Sequence, residues 1–289
     1  MNKLMIGLLS LTLLVSLNGC AEKSDSAGSS EPAAANEIAQ KPQPAPQQPP
    51  QPTKSNKPAK PAQPVQPNGP NKQTQVQKQY YMNKNYFFKP INSAAPKKAV
   101  LLTFDDGPKE KPLLESILGT LDKHKAKAIF FVNGYRVKEH PELLKLIHDR
   151  KQTIGNHSWD HIDLKKQSAQ KVKQQLTDVQ TIVKKVTGTS PAFFRPPFGS
   201  GGDTVRKTSA QLGMLYMTWS NGSEDWLGKN KNKPDQVIAT VMKQLNPGSN
   251  ILMHELPWTA EALDELLTLL ESKGYTFIDP AAIDPHRTS

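Results

Sequence analysis

Five short clusters in the 289-residue chain carry groups that can move protons or hold a cation. The first is Asp105-Asp106-Gly107. Adjacent carboxylates repel, and a buried pair needs a cation or a shared proton. Taken alone, the same three residues also make an ordinary turn or helix cap. The second cluster is His157-Ser158-Trp159-Asp160-His161, whose four-residue spacing one turn of helix would bring onto one face. Neutral imidazole is the commonest metal ligand, and two histidines with one carboxylate form a catalytic zinc set with a position open to water. The competing reading is a pair of surface histidines, as expected for His124, His140, His148 and His286. Further along lie Arg195-Pro196-Pro197-Phe198-Gly199, Glu224-Asp225-Trp226 and Leu252-Met253-His254. Each of these, taken singly, also reads as a turn, a loop or a strand end.

The elements that must position these clusters alternate between short apolar runs and longer amphipathic ones. Ala99 to Phe104 and Ala128 to Val132 are continuous apolar runs, the pattern of strands buried on both faces. Shorter strands are expected from Thr153, near Phe193, at Leu215 to Trp219, at Asn250 to Met253 and at Tyr275 to Ile278. Helices are expected at Leu113 to His124, Pro141 to Arg150, Ser168 to Val186, Val205 to Leu212, Pro234 to Leu245 and Thr259 to Ser272. Alternating strands and helices define an α/β fold of parallel units, and about seven of them in so short a stretch predict a distorted, incomplete (β/α) barrel. Chemistry in such folds collects beyond the carboxyl ends of the strands, where all five clusters fall.

In order, Thr-Phe-Asp-Asp-Gly, His-Ser-x-x-His, Arg-Pro-Pro-x-Gly, Asp-Trp and Leu-x-His resemble the signature motifs of the polysaccharide deacetylases, the NodB-homology domain of carbohydrate esterase family four. The likeness runs from Ala99 to Asp279. It implies one divalent metal, usually zinc with cobalt or manganese as alternatives, held by Asp106, His157 and His161. It further implies Asp105 as general base and His254 as general acid, with Arg195 orienting Asp105 and Asp225 holding the His254 ring. The Phe198 N–H would donate to the oxyanion, and Trp226 and Leu252 would wall the acetyl pocket. The chain departs from the family pattern at Phe198, where tyrosine is usual, and at Ile129, Lys151-Gln152 and Ser220-Asn221. The last two pairs are expected to border the site.

Twelve of the 25 prolines fall between Pro32 and Pro70, among Gln, Ala, Lys and Asn, a composition unable to bury enough apolar surface to fold. The chain opens with Lys3 and an apolar run from Leu4 to Leu17, too short to span a bilayer as a helix, then Gly19 and the single cysteine, Cys20. Leu17-Asn18-Gly19-Cys20 resembles a bacterial lipobox, which implies cleavage before Cys20 and lipid on its sulfur. The expected organisation is a signal peptide at 1–19, a tether at 20–75, an N-terminal extension at 76–97 and a deacetylase domain at 98–285. Localisation is then the extracytoplasmic face of the cell membrane, with an acetylated cell-wall polysaccharide as substrate. The net charge of +11 suits anionic surroundings. Its lysines are scattered and form no nucleic-acid module. One cysteine excludes an intrachain disulfide, and a monomer is expected. The alternatives are an O-acetyl esterase on a wall-linked glycan and a non-catalytic wall lipoprotein of the same fold.

Overall fold

The computed structural model describes residues 76–288. The signal segment and the whole of the tether, Cys20 included, lie outside the described residues. In chain order the elements are β1 (Tyr80–Met82), β2 (Phe88–Pro90), β3 (Ala99–Gly107), α1 (Lys111–Lys123), β4 (Ala128–Val132), α2 (Gly134–Glu139) and α3 (Pro141–Asp149). There follow β5 (Thr153–Asn156), α4 (Ala169–Thr187), β6 (Phe193–Phe194), α5 (Asp203–Gln211), β7 (Leu215–Tyr216) and β8 (Asn221–Gly222). Last come α6 (Pro234–Lys243), β9 (Asn250–His254), α7 (Pro257–Ser272), β10 (Thr276–Phe277) and β11 (Ile283–Thr288).

The main sheet is wholly parallel, in the order β7-β6-β5-β4-β3-β9-β8, with β10 also on β3. Its two end strands do not pair, so the curled sheet is an incomplete barrel. Side chains alternate along β3 with the two-residue period of a strand. Val100, Leu102 and Phe104 pack into the layer of helices with Leu114, Leu144, Val241 and Leu266. Leu101 turns to the inner face, where it meets Ile129, Phe131, Phe193 and Met217. All five residues of β4 are buried, as strands covered on both faces require. Burying each such side chain contributes about 1.5–3 kcal/mol. Thr103 and Asp105 continue the inner face of β3, so the pleat that fills the core also delivers a carboxylate to its rim.

Three features were not expected from sequence. Helix α2 follows β4 directly, and β8 is an Asn-Gly dipeptide that becomes a strand only through its pairing with β9. The extension forms a separate three-stranded sheet, β11-β1-β2, in which β1 runs parallel to β11 and antiparallel to β2. Tyr80, Met82, Phe88 and Ile283 from that sheet join the inner core cluster.

Candidate active site

Asp105 and Asp106 end β3, and strict alternation would send them to opposite faces. Asp106 instead adopts a left-handed φ of 67°, and pairing with β4 slips between Asp105 and Gly107. Both carboxylates thereby line one cavity of about 340 Å³, with His157, His161, Phe198, Trp226, Leu252 and His254.

His157 follows β5, and its Nδ1 lies 2.7 Å from the Arg195 carbonyl oxygen. A carbonyl only accepts, so Nδ1 carries the proton and Nε2 presents a lone pair. That lone pair faces Asp106 Oδ1 at 3.4 Å, and His161 Nε2 approaches the same oxygen at 3.1 Å. Asp106 Oδ1 is buried without an aligned hydrogen-bond partner. The three ligand atoms lie within 4.8 Å of one another. A carboxylate oxygen facing an imidazole lone pair, with no donor between them, fits a cation-binding set. Burial works against ionisation of Asp106, but the closeness of His157 and His161, and the charge of His254, hold it well below the usual carboxylate range.

The two imidazoles do not share a helix face, contrary to the expectation from their spacing. The segment between them is an irregular loop with left-handed Ser158 (φ 66°) and His161 (φ 53°). Its conformation is imposed from outside. Asn133 Nδ2 donates to the His157 carbonyl at 2.9 Å, and the Ser158 N–H donates to Asn156 Oδ1 at 3.0 Å. Buried Gln175 on α4 accepts from the N–H groups of Trp159 (3.1 Å) and Asp160 (2.9 Å) through one oxygen. These positions escaped sequence reasoning, although a glutamine between Val172 and Leu176 on the core face of α4 was a readable signal.

Arg195 is completely buried, and its Nη1 donates to Asp105 Oδ1 at 2.7 Å and to Thr103 Oγ1 at 2.8 Å. Nη2 donates to the Thr218 carbonyl (2.9 Å) and to Asn250 Oδ1 (3.0 Å), and the guanidinium lies 4.5 Å from the Phe131 ring centre. Asp105 Oδ1 is thus occupied, while Oδ2 faces the cavity 3.7 Å from His157 Nε2.

On the other side, His254 Nδ1 donates to Asp225 Oδ1 at 2.7 Å. Asp225 Oδ2 accepts from the His254 N–H and from Thr259 Oγ1, both at 2.7 Å. Burial disfavours the His254 imidazolium, yet the bond to Asp225 and the charges of Asp225, Asp105 and Asp106 raise its pKa above the ordinary value. The register pairs Asp105 directly with His254 across β3 and β9. Glu255, next in line, is buried behind Gly107. It accepts only from the Lys109 N–H at 3.0 Å, and burial pushes its carboxyl up to about 7.

Phe198 is 66% exposed and left-handed (φ 60°), with its ring edge-on to His161 at 4.6 Å. The hydrogen bonds of its turn run from the Gly199 N–H to the Pro196 carbonyl and from the Ser200 N–H to the Pro197 carbonyl, which leaves the Phe198 N–H out. Trp226 packs edge-on against His254 at 5.3 Å and against Trp219 at 6.2 Å. Trp219, not singled out in the sequence, also lines the cavity. Of the departures from the family pattern, Phe198 lines this cavity, whereas the two pairs expected to border it do not. Gln152 bonds the Ala128 N–H at the amino end of β4, and Ser220 accepts from the Asn250 N–H at the amino end of β9. Neither pair, Lys151-Gln152 or Ser220-Asn221, lines the cavity.

The curled parallel sheet matches the (β/α) barrel type of carbohydrate esterase family four, and residues 92–217 match the family model for polysaccharide deacetylase. The chain belongs to the polysaccharide deacetylase family. It is 36% identical over 182 residues to the peptidoglycan-N-acetylmuramic acid deacetylase PdaA of Bacillus subtilis, covering 62% of this chain and 69% of that one. The B. subtilis peptidoglycan-N-acetylmuramic acid deacetylase PdaC is also 36% identical, over 65% of this chain, but the match spans only 39% of PdaC. Among solved structures, a CE4 family pseudoenzyme from Bacillus anthracis superposes with a TM-score of 0.61 at 32% identity, over 67% of this chain and 70% of that one.

Proposed function

We propose that the chain is a metal-dependent hydrolase that removes N-acetyl groups from peptidoglycan, anchored through lipid on Cys20 to the outer face of the cell membrane. The observation that carries this reading is the position of Asp105. It is held by Arg195 through one oxygen, stands outside the three-residue ligand set, and leaves its second oxygen facing the cavity. The relatives named as peptidoglycan deacetylases support the substrate. Asp106, His157 and His161 would hold a divalent cation, zinc before cobalt or manganese, which when bound acidifies water and polarises a carbonyl.

Asp105 Oδ2 takes the proton from the attacking water, and Arg195 keeps the carboxylate oriented. As the C–O bond forms, charge gathers on the acetyl oxygen, to which the Phe198 N–H donates. His254, kept protonated by Asp225, gives its proton to the sugar nitrogen as the C–N bond breaks. The products are acetate and a free amine. Leu252, Trp219 and Trp226 offer the acetyl methyl an apolar wall.

The test is acetate release from wall fragments by the purified, metal-loaded protein. Activity is expected to vanish with a chelator and with Asp105→Asn. No acetate from any N- or O-acetylated substrate would overturn the proposal. Acetate from O-acetyl glycans alone would instead support the esterase reading. Equal complementation of a deletion strain by wild type and Asp105→Asn would support a non-catalytic role, the reading favoured by the pseudoenzyme neighbour.

A further inference from the structure

A second recess, of about 560 Å³, lies between the β1–β2 turn, α5 and β11. We propose that it is a distal subsite for a carboxylate-bearing stretch of a glycan strand.

Charge is the first argument. Lys84, Arg206 and His286 line the recess, and no Asp or Glu does. Neither Lys84 nor Arg206 forms an ion pair among the described residues. Asp203, three residues before Arg206 on α5, attracts it without reaching ion-pair distance, and Asp284 is occupied by the His286 N–H at 3.0 Å. Two side-chain cations and an imidazole in one concave surface attract an anion.

The second argument is preorganisation. The Arg206 guanidinium lies over the Tyr216 ring at 4.0 Å from its centre, and Nη2 donates to Tyr86 Oη at 3.0 Å. Tyr86 itself is held in a left-handed conformation, with φ 62°. That bond engages one donor of a five-donor fork, and a planar edge remains for bidentate capture of a carboxylate. Met82, Met214 and Tyr216 supply an apolar floor that suits the C–H face of a sugar ring.

Continuity with the catalytic cavity is the third. Gly199 lines that cavity, and a Cβ at Gly201 would sit 2.3 Å from Tyr216 Oη. Two residues of chain span at most about 7 Å, so at this point the linings of the two recesses are near neighbours along the chain. Naming the ligand as a wall glycan rests on the function proposed above. The charge-dependent binding does not.

The experiment uses the full chain with Asp105→Asn, to stop turnover. Calorimetry compares peptide-free wall glycan strands, whose lactyl groups carry carboxylates, with uncharged chitin oligomers of equal length. In this background Arg206→Glu is expected to weaken the carboxylated strands at least about tenfold and chitin oligomers less than about twofold, with Arg206→Lys in between. Tyr86→Phe, which removes one hydroxyl, should give a smaller loss in the same direction and guards against misfolding of the charge reversal. Equal binding of both strands by wild type and Arg206→Glu, or equal loss of both, overturns the proposal. Tighter binding of a poly(glycerol phosphate) than of the glycan overturns the ligand class. Absence of acetate release from every substrate would sink the enzymatic reading while the binding difference between strands still stood.

Discussion

Replacing Glu255 by glutamine should stabilise the protein, and only at neutral to alkaline pH. The carboxyl is 1% exposed, accepts one bond from the Lys109 N–H, and has its other oxygen pressed against Gly107, where an added Cβ would meet Oε1 at 1.9 Å. Desolvation lifts its pKa from an ordinary 4.5 to about 7. Below pH 4.5 the group is protonated in both folded and unfolded chains and contributes nothing to pH dependence. As pH rises toward 7 the unfolded chain releases its proton first, so stability falls across that window. The gap between 4.5 and about 7 corresponds to at most about 3 kcal/mol. Glutamine keeps an acceptor for the Lys109 N–H and never has to ionise. Metal-free Glu255→Gln should therefore match wild type near pH 4.5 and gain up to about 3 kcal/mol at pH 8, roughly 6–12 °C in Tm for a domain of this size. Urea or thermal unfolding in a chelator at both pH values checks this. An equal difference at the two pH values, or destabilisation at pH 8, would refute the burial argument.

Asp225→Asn leaves one acceptor oxygen where three donors converge, so a charge-assisted bond worth about 1.5–3 kcal/mol is lost. We expect kcat to fall by about 10- to 150-fold. The raised pKa of His254 keeps the acid protonated to higher pH, so the alkaline limb of kcat/KM should move to lower pH in the variant; an unmoved limb would contradict the assignment. Gly155→Ala places a methyl 2.4 Å from Phe131 Cδ1, and overpacking of about 2 kcal/mol should lower Tm by about 4–8 °C, read by calorimetry. Gln175→Ala strips the acceptor from the Trp159 and Asp160 N–H groups and should weaken metal binding about 10- to 100-fold in a chelator competition.

Much of this was written in local pattern. Strands β3, β4 and β9 were legible because burial on both faces leaves continuous apolar runs, and the clusters at Asp105 and His254 stood where two of those runs ended. Other features depend on partners distant in sequence. The β1–β11 pairing joins Tyr80 to Ile283, and nothing in either triplet names the other. His124 reads as a surface histidine, yet its side chain is 7% exposed, clamped between Asp264 and Glu271 of α7. The His157–His161 loop mimics helical spacing while taking its shape from Asn133, Asn156 and Gln175, three amides whose roles emerge only when strands and α4 come together.

Among the described residues nine non-glycine residues have positive φ, and five of them, Asp106, Ser158, His161, Phe198 and Glu224, build or flank the cavity. Conformations of this kind cost on the order of 1–3 kcal/mol each and persist only where the surroundings over-determine them. Thermal hardening and turnover therefore pull against each other along the rim. A glycine placed at any of these positions would relieve local tension but free the very side chain or amide that the loop was bent to present. A laboratory search for heat-tolerant variants should accumulate its changes in the helices and at the far end of the barrel, and leave those five positions untouched.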